Sequence, residues 1–381
     1  MSRSTKRLSL GLVGPTWPFR GGIAHHTSLL ARALASRHDL RFVSYSRMYP
    51  ALLYPGASDR EPGGLGPLPR LDEPLLDSLN PATWWRVGRT LAALRPDSVI
   101  IPWWVVFWAP QIWVVARLLR GAGVPVIFLC HNVREHESSP WRSAISRQVL
   151  RSGSAFLCHS DGEAAILREQ LPGRPIRKVF HPSYGELSKG ASAAEPARAE
   201  PPELLFFGFI REYKGLDVLL AAMPEVHGRT GAKLRVVGEV WGDPAPWHRR
   251  VAELGLDRAV ELDLRYASVE EIPALFARAA LVILPYRTAT GCGPLQLAFG
   301  AGRPVVGSAV GGITEAVRDG ENGLLVPPGD PAALAAAIVR ALEPELLKRL
   351  TRGAADAASS FTWESLVDAV EELVDALGRA A

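Results

Sequence analysis

The chain alternates short apolar segments with amphipathic segments in both of its halves, and this alternation most strongly constrains its fold. In the first half, the apolar runs 8–13 (LSLGLV) and 125–130 (PVIFLC) lie among segments whose apolar residues have helical spacing. In the second half, the runs 204–210 (LLFFGFI) and 281–286 (LVILPY) are placed in the same way. Short, continuously apolar strands separated by helices are typical of a parallel sheet covered on both faces. The sequence therefore predicts an α/β protein with two doubly wound, Rossmann-like domains.

A segment without large apolar side chains separates the two halves. Residues 189–202 (KGASAAEPARAEPP) are mainly Ala, Pro and Glu, a composition typical of an exposed linker. A chain of 381 residues also suits two domains better than one. Because ligands bind outside the carboxyl ends of the strands in doubly wound sheets, we expect the functional site in a cleft between the two domains.

Charge and cysteine content narrow the classes of function. The formal net charge is +4, with no run of five or six like charges. This mild basic excess suits an anionic ligand or a membrane surface and does not favour nucleic acid. The three cysteines, Cys130, Cys158 and Cys292, lack the spacing of a metal site, so the sequence predicts a reducing, cytoplasmic location.

Two apolar stretches resemble a signal peptide and a membrane span. The run 8–13 follows basic residues but is short and ends at Gly14 without a cleavage pattern, which favours a buried first strand. The stretch 99–119 has the length of a span, but Pro102 and Pro110 interrupt it, which favours a strand followed by a helix. Export and membrane insertion are therefore not expected.

The second of these stretches and its upstream flank are rich in aromatic residues. Two interpretations remain open: packing in the core or around an acceptor pocket, and an exposed aromatic surface that contacts lipid headgroups. The residues concerned are Trp84, Trp85, Trp103, Trp104, Phe107, Trp108 and Trp113.

A pair of cations follows the first strand of the second half. Gly208 lies at the strand end, Arg211 and Lys214 lie in the turn, and Gly215 precedes a predicted helix. Two cations near the positive end of a helix suit a diphosphate. The alternative is that Arg211 and Lys214 are ordinary solvated loop charges.

Glycine-rich loops follow several other strands. Gly21 and Gly22 precede the first helix, the loop 288–293 (TATGCG) precedes another, and Gly311-Gly312 gives a third set of backbone donors. Backbone N–H groups without side chains can approach a phosphate closely. One such loop is a weak signal, because a glycine pair also suits any tight turn, but several at successive strand ends favour an anion site.

Four segments together resemble the GT-B glycosyltransferases of retaining family 4, the group 1 glycosyl transferases that include bacterial polysaccharide and lipopolysaccharide enzymes. The segments are 21–34 (GGIAHHTSLLARAL), 130–137 (CHNVREHE), 206–220 (FFGFIREYKGLDVLL) and 284–338, which begins LPYRTATGCG. They occur in the family's order and nearly span the chain.

This resemblance implies two Rossmann-like domains that face each other across a cleft. Residues 1–188 would bind the acceptor, 189–202 would be the linker, and 203–361 would bind the nucleotide-sugar. A last helix within 362–381 would cross back to the first domain. The implied reaction moves a hexosyl unit from a UDP- or GDP-sugar to a glycan or lipid-linked acceptor with retention of configuration. The implied setting is polysaccharide biosynthesis, in the cytoplasm or peripherally on the cytoplasmic face of a membrane.

The resemblance also assigns roles to individual residues. His131 would lie beside the transferred sugar, and Arg211 and Lys214 would hold the diphosphate, so these three form the predicted catalytic set. His131 has the alternative role of bonding only to backbone. The predicted donor-binding residues are Gly21, Gly22, Gly208, Arg211, Lys214, Gly238, Arg265, Tyr266, Thr290, Gly291, Cys292, Gly293 and Glu315. The predicted acceptor-binding residues are His25, His26, Asn132, Glu135 and His136.

The sequence departs from the family at two positions. Ala289 and Leu297 stand where relatives often have two glutamates eight residues apart, and Glu315 is the nearest remaining carboxylate. The chain also lacks an Asp-x-Asp motif, so we expect no metal and no other cofactor, with cations and helix dipoles supporting the leaving group instead.

Two alternative functions use the same fold. A catalytically silent, nucleotide-sugar-binding subunit of a polysaccharide assembly complex would be consistent with the missing glutamates. A nucleotide-sugar epimerase would also need diphosphate loops, but it requires acid and base carboxylates that are scarce here.

Overall fold

The computed structural model describes residues 6–50, 58–61, 68–73, 75–133, 139–185 and 201–379. The chain divides into two compact units: unit 1 is Met1–Phe180 with Trp363–Ala381, and unit 2 is His181–Thr362. Of the predicted linker 189–202, only Pro201 and Pro202 lie within the described residues.

Fourteen strands lie in the described part of the chain. They are β1 (Ser9–Val13), β2 (Asp39–Val43), β3 (Tyr45–Arg47), β4 (Leu76–Asp77), β5 (Ser98–Trp103), β6 (Val126–Cys130), β7 (Ala155–Cys158), β8 (Ile176–Lys178), β9 (Glu203–Phe207), β10 (Lys233–Val237), β11 (Val260–Asp263), β12 (Leu281–Leu284), β13 (Val305–Ser308) and β14 (Gly323–Val326).

Thirteen α-helices lie in the same described part. They are α1 (Gly22–Arg37), α2 (Pro81–Leu94), α3 (Ala109–Gly121), α4 (Pro140–Leu150), α5 (Asp161–Gln170), α6 (Leu216–Thr230), α7 (Ala245–Glu253), α8 (Ile272–Arg278), α9 (Gly293–Gly300), α10 (Gly311–Ala316), α11 (Pro331–Ala341), α12 (Pro344–Ser360) and α13 (Trp363–Gly378).

Helix starts follow the local sequence. Asn80 accepts a hydrogen bond from the Ala82 N–H and precedes Pro81 at the start of α2. Asp330 accepts from the Ala333 N–H at 2.9 Å before Pro331 of α11. A polar cap followed by proline satisfies one unpaired N–H group and removes another, so the helix begins at a defined residue.

Unit 1 contains a six-stranded parallel sheet with the order β2-β1-β5-β6-β7-β8. Strands β3 and β4 form a separate two-stranded sheet. The connection β1-α1-β2 runs in one direction across the sheet, and the later connections run in the other. Because such crossovers are right-handed, α1 lies on one face and α2, α3, α4 and α5 lie on the opposite face. Helix α13 packs on α1, β7 and β8, so it shares the face of α1.

Unit 2 contains a second six-stranded parallel sheet, with the order β11-β10-β9-β12-β13-β14. The chain leaves β9 towards one edge and later returns to β12 on its other side. The carboxyl ends of β9 and β12 therefore flank the topological switch point, where ligands of doubly wound sheets bind. In unit 1 the corresponding point lies between β1 and β5. Both units thus have the predicted Rossmann-like architecture.

Each unit has its own apolar core, and the aromatic residues of 84–113 divide between core and surface. Trp103 and Trp108 are fully buried in the core of unit 1. Trp85 is 52 % exposed and Trp113 38 % exposed. The structure therefore places some of these aromatic residues in the core and others at the surface, and contact of the exposed ones with lipid headgroups stays a prediction. No helix in the described ranges is long and apolar enough to cross a membrane.

Candidate functional site

The switch point of unit 2 begins at Gly208, directly after β9. Gly208 has φ of +102°, a conformation that side chains disfavour, and a Cβ atom there would lie 2.9 Å from Nζ of Lys214. A Cβ atom on Gly238, after β10, would lie 2.0 Å from the carbonyl oxygen of Gly208. Both positions therefore require glycine, because the neighbouring strand ends and the lysine approach the backbone closely.

Lys214 is the buried cation of this switch point. It lies in a short 3-10 turn, Glu212–Lys214, and is only 7 % exposed. Burial, aided by the charge of neighbouring Arg211, lowers the pKa of Lys214 to about 8. Its Nζ lies 5.6 Å from the ring centroid of Tyr286, and no carboxylate of the described residues forms an ion pair with it. An anion bound next to this buried ammonium group would offset the free-energy cost of burying its charge.

Arg211, the other predicted diphosphate residue, is only half-buried. Its guanidinium lies 4.7 Å from the ring centroid of Trp241, in a cation–π contact. Phe209 lies 5.3 Å from Trp241 and 5.9 Å from Tyr266, measured between ring centroids. The cluster of Phe209, Trp241 and Tyr266 thus stands beside the cation pair. Trp241 was not among the predicted site residues.

Arg265 is engaged by acidic residues in the structure. It contacts Asp263 at 3.0 Å and Glu271 through two guanidinium nitrogens. These partners raise the pKa of Arg265, and Arg265 lowers the pKa of Glu271 to about 2. Because these carboxylates already balance the charge of Arg265, this residue can contribute backbone or stacking contacts to a ligand rather than a free positive charge.

The loop 288–293 packs backbone to backbone against α10. The N–H of Gly312 donates to the carbonyl of Thr290 at 3.1 Å, and a Cβ atom on Gly311 would lie 1.8 Å from the carbonyl oxygen of Ala289. The expectation that Gly311-Gly312 provides free donors is therefore wrong for Gly312, whose N–H shapes the loop instead. Glu315 is half-buried in the same short helix.

The remaining loop residues lead into α9. Gly291 and Gly293 are half-buried, and Cys292 is buried between them, immediately before the helix begins at Gly293. Burial raises the pKa of the Cys292 thiol, which lies beside the Tyr286 side chain. Leu297, one of the two family glutamate positions, is buried within α9. The thiol thus remains protonated and packs beside the ring that Lys214 contacts.

Arg287 joins this loop to the turn that contains Lys214. Its guanidinium binds Asp217 through two contacts of 2.9 and 2.6 Å and donates to the carbonyl of Glu212 at 2.8 Å. Its N–H donates to the carbonyl of Tyr213 at 2.7 Å. Sequence reasoning missed this clamp, because Arg287 and Asp217 are 70 residues apart and neither lies in a recognisable motif.

In unit 1, the glycine turn after β1 leaves space in front of α1. Gly21 has φ of +101°, and no described atom lies within 4 Å of a Cβ built on Gly21 or Gly22. The first turn of α1 contains no acidic residue. Glycines at the start of a sixteen-residue helix leave its backbone N–H groups unshielded by side chains, an arrangement that suits an anion.

His25, a predicted acceptor residue, pairs with a residue that was not predicted. Its Nε2 lies 3.2 Å from Oε2 of Glu61, and both residues are buried. Glu61 is held in this position by backbone contacts: its N–H donates to the carbonyl of Pro18, and Arg60 forms an antiparallel β-bridge with Phe19. The irregular segment before Glu61 gave no sequence signal for this contact.

Three buried histidines of unit 1 are in contact. The ring centroids of His26 and His131 are 4.7 Å apart, those of His26 and His159 5.6 Å, and those of His131 and His159 5.2 Å. We call His26, His131 and His159 the histidine cluster. Trp363 of α13 also packs against this cluster, and its ring centroid lies 5.0 Å from that of His26. The structure thus unites a predicted catalytic residue with a predicted acceptor residue.

His159 joins the cluster through strand register. Cys130 of β6 is paired with Cys158 of β7, so the next residues, His131 and His159, leave the sheet side by side. The repeated Leu-Cys-His at both strand ends was the signal that sequence reasoning overlooked. Nδ1 of His159 lies 3.0 Å from the carbonyl of Val179, so Nδ1 carries the proton. Burial lowers the pKa of His159 to about 4, which keeps the ring neutral.

The segment after His131 is fixed by backbone contacts. The N–H of His131 donates to the carbonyl of Trp103 at 2.8 Å, and Nδ2 of Asn132 donates to the carbonyl of Trp104 at 3.1 Å. The N–H of Val133 donates to the buried carboxylate of Glu163. The predicted acceptor residues Glu135 and His136 lie outside the described residues.

The fold has known counterparts. The structure of HepE from Anabaena in complex with UDP-glucose aligns with a TM-score of 0.70 and 18 % sequence identity, covering 97 % of this chain and all of that one. The two Rossmann-like units and this structural match show that the chain has the GT-B fold.

Sequence comparison gives the family. Residues 201–344 match the model described as glycosyl transferases group 1, and residues 21–183 match the glycosyl transferase 4-like domain. D-inositol 3-phosphate glycosyltransferase 1 of Catenulispora acidiphila is 34 % identical over 66 % of this chain and 67 % of its own length. D-inositol 3-phosphate glycosyltransferase of Acidothermus cellulolyticus is 29 % identical over 92 % of this chain and 84 % of its own length. The chain belongs to the group 1 glycosyltransferases.

Proposed function

We propose that this glycosyltransferase moves a hexosyl unit from a nucleoside-diphosphate sugar to a glycan or lipid-linked acceptor, with retention of configuration and without a metal ion. The observation that carries the proposal is the buried charge of Lys214 at the switch point of unit 2. The complex of HepE with UDP-glucose, a protein of the same fold, supports a nucleotide-sugar as donor. The base would be uridine or guanosine.

Lys214 would act on the leaving group. When the bond between the sugar and the diphosphate breaks, negative charge grows on the phosphate oxygen, and a desolvated ammonium stabilises this charge more strongly than a solvated one. Arg211, whose guanidinium lies over the ring of Trp241, would add a second positive charge at the edge of the proposed diphosphate site. This pair would replace a divalent ion as the electrophilic support, which is the reason to propose metal independence.

Unit 1 would supply hydrogen-bonding groups to the sugar and the acceptor. His131 is buried beside two other imidazoles, and the pKa of His159 is far below neutrality. Neutral rings bind sugar hydroxyl groups without competing for the charged diphosphate. His25, paired with Glu61, is the corresponding candidate on the acceptor side.

Retention of configuration would follow from attack on the same face that the diphosphate leaves. In this route the leaving phosphate accepts the proton of the acceptor hydroxyl, so no side chain forms a bond to the sugar. Asp217, three residues after Lys214, is bound by Arg287, which lowers the pKa of its carboxylate, and we assign it no bond to the sugar. The product would be an extended glycan, as in polysaccharide biosynthesis, made in the cytoplasm or on the cytoplasmic face of a membrane.

The test is a panel of UDP- and GDP-sugars with purified protein in EDTA. Binding would be measured by calorimetry, and slow hydrolysis of the donor by nucleotide release. Lys214→Ala is expected to lose about 10²- to 10³-fold in turnover, the usual cost of removing one preorganised electrostatic group. Lys233→Ala, which changes an exposed lysine of the same unit, is the matched control.

Ala289 and Leu297 favour a second candidate, a catalytically silent nucleotide-sugar-binding subunit. Tight binding of one donor without nucleotide release, with or without added glycans, would support this candidate and contradict the transferase. If no donor binds at all, the assignment of the diphosphate to Lys214 is wrong.

A further inference from the structure

Three neighbouring helices of unit 1 carry only positive charge. Helices α2, α3 and α4 contain two arginines each and no aspartate or glutamate. The arginines are Arg86, Arg89, Arg117, Arg120, Arg142 and Arg147; all are exposed except Arg142, which is half-buried. Such a charge pattern is unusual for solvated helices, which mix both signs. The three helices therefore present one basic layer.

The basic layer is continuous and lies on a single face of the sheet. Helix α3 packs against α2 on one side and against α4 on the other. The opposite face carries α13, which has five acidic residues and no basic one. Unit 1 is therefore electrically polarised across its sheet. Arg37 of α1 is bound by Asp368 and Glu371 of α13, so the acidic helix is partly neutralised within its own face.

Each of the three helices also exposes a tryptophan beside an arginine. The guanidinium of Arg89 lies 4.6 Å from the ring centroid of Trp85, and that of Arg142 lies 5.3 Å from Trp141. The same pairing occurs on α3, where Arg117 lies 5.7 Å from the ring centroid of Trp113. Trp141, at 59 % exposed, and Trp85, at 52 %, are among the most exposed large apolar side chains of the described residues. Exposed indole rings are costly in water and are not explained by the core.

We propose that the layer formed by α2, α3 and α4 docks on a membrane surface that contains anionic phospholipids. The arginines would bind lipid phosphates, and the indole rings of Trp85, Trp113 and Trp141 would enter the headgroup region. This surface would bring the enzyme to a lipid-linked acceptor, and that link to the acceptor rests on the proposed function. The docking itself does not depend on it.

The chemistry of the layer fits a lipid surface better than the other anionic partners. Tryptophan is the side chain that prefers the membrane–water interface, since its ring is apolar and its N–H is polar. Basic residues near an anionic leaflet add to this attraction, and each contributes about a five-fold gain in partitioning. Phe107, in the turn before α3, is 42 % exposed and extends the apolar part of the layer. A nucleic acid or an acidic protein would use the charge but would leave the three rings unexplained.

The experiment is flotation of the full-length protein with vesicles of phosphatidylcholine alone, and with vesicles of phosphatidylcholine and phosphatidylglycerol in equal parts. The wild type is expected to float with the anionic vesicles only. The variant Arg89→Gln/Arg117→Gln/Arg147→Gln is expected to lose about 10²-fold in partitioning. The variant Trp85→Ser/Trp113→Ser/Trp141→Ser is also expected to lose partitioning, because it removes the rings that prefer the interface. Indole fluorescence of the wild type should shift to the blue on binding, because the rings leave water.

The control is Arg229→Gln/Arg249→Gln/Arg258→Gln, which removes three exposed arginines from unit 2. It should float like the wild type. Equal loss in this control, or flotation of all variants, would overturn the proposal. Binding of the wild type to an RNA homopolymer that equals its binding to anionic vesicles and depends on the same arginines, but not on the tryptophans, would also overturn it.

Lipid docking and transferase activity can fail separately. The surface variants leave Lys214 and the histidine cluster untouched, so donor binding and slow donor hydrolysis should remain those of the wild type. Conversely, Lys214→Ala should still float with anionic vesicles. A protein that floats but binds no donor would contradict the proposed function and not the docking surface.

Discussion

The two units share one architecture but place opposite kinds of ionisable group at their strand ends. Unit 2 buries a cation, Lys214, whose pKa is lowered to about 8 and which therefore stays mostly charged at neutral pH. Unit 1 buries imidazoles, and the pKa of His159 is lowered to about 4, so that this ring is neutral. Burial disfavours the charged form in both cases. The intrinsic pKa of each side chain then decides which unit keeps its charge.

This difference suggests that the two units, although similar in fold, contribute different chemical groups to the proposed reaction. A lysine starts far enough above neutrality that desolvation leaves it charged, so it can hold a diphosphate. A histidine starts near neutrality, so the same desolvation discharges it, and it can only donate or accept neutral hydrogen bonds. The following changes test this division, in order of decreasing expected effect.

The largest effect is expected for Lys214→Met, which keeps the length of the side chain and removes its charge. Donor affinity should fall by at least about 10²-fold, while the free energy of unfolding should rise by up to about 3 kcal/mol at pH 7, because the cost of burying the charge disappears. Calorimetry and urea unfolding give the two quantities. Lys233→Met should change neither, and a loss of stability in Lys214→Met would show that the buried charge is already compensated.

Donor binding should depend on pH through the same lysine. Since Lys214 loses its proton above about pH 8, the affinity of the free enzyme for the donor should fall about ten-fold for each pH unit beyond that value. Binding between pH 8 and 9 should also take up protons, because the diphosphate favours the charged lysine. Calorimetry in buffers of different ionisation enthalpy measures this uptake, and its absence would assign the diphosphate to other groups.

His159 should make unit 1 sensitive to acid. Its folded-state pKa is below its unfolded value, so between about pH 6.5 and 4 the unfolded chain binds more protons and stability falls as the pH falls. The slope contributed by this one residue is at most about 1.4 kcal/mol per pH unit. His159→Gln should flatten the profile of unfolding free energy, whereas His248→Gln, at an exposed position, should leave it unchanged.

The smallest effect is expected for His131→Asn. A neutral hydrogen bond to a sugar hydroxyl contributes about 1 kcal/mol, so kcat/KM should fall about five-fold, with little change in affinity for the nucleoside diphosphate alone. Steady-state kinetics and a displacement assay separate the two quantities. A loss as large as that of Lys214→Ala would mean that His131 carries charge during the reaction. It would contradict the contrast between a charged side chain in unit 2 and neutral ones in unit 1.

The sequence by itself determined the fold class and the glycine and the two cations of the turn after β9. Alternating apolar runs require parallel sheets, and the local spacing of Gly208, Arg211 and Lys214 follows from one strand, one turn and one helix start. Such features depend on residues that are close in sequence, so they can be predicted without knowing how the elements pack.

Only the tertiary structure decided the contacts between distant segments. The register of β6 and β7 set His159 beside His131, Glu61 reached His25 from an irregular segment, and Arg287 bound Asp217 across 70 residues. Burial also had to be seen before the pKa of Lys214 or the exposure of Trp85 could be known. Desolvation depends on everything that packs around a side chain, and no local pattern of residues contains that information.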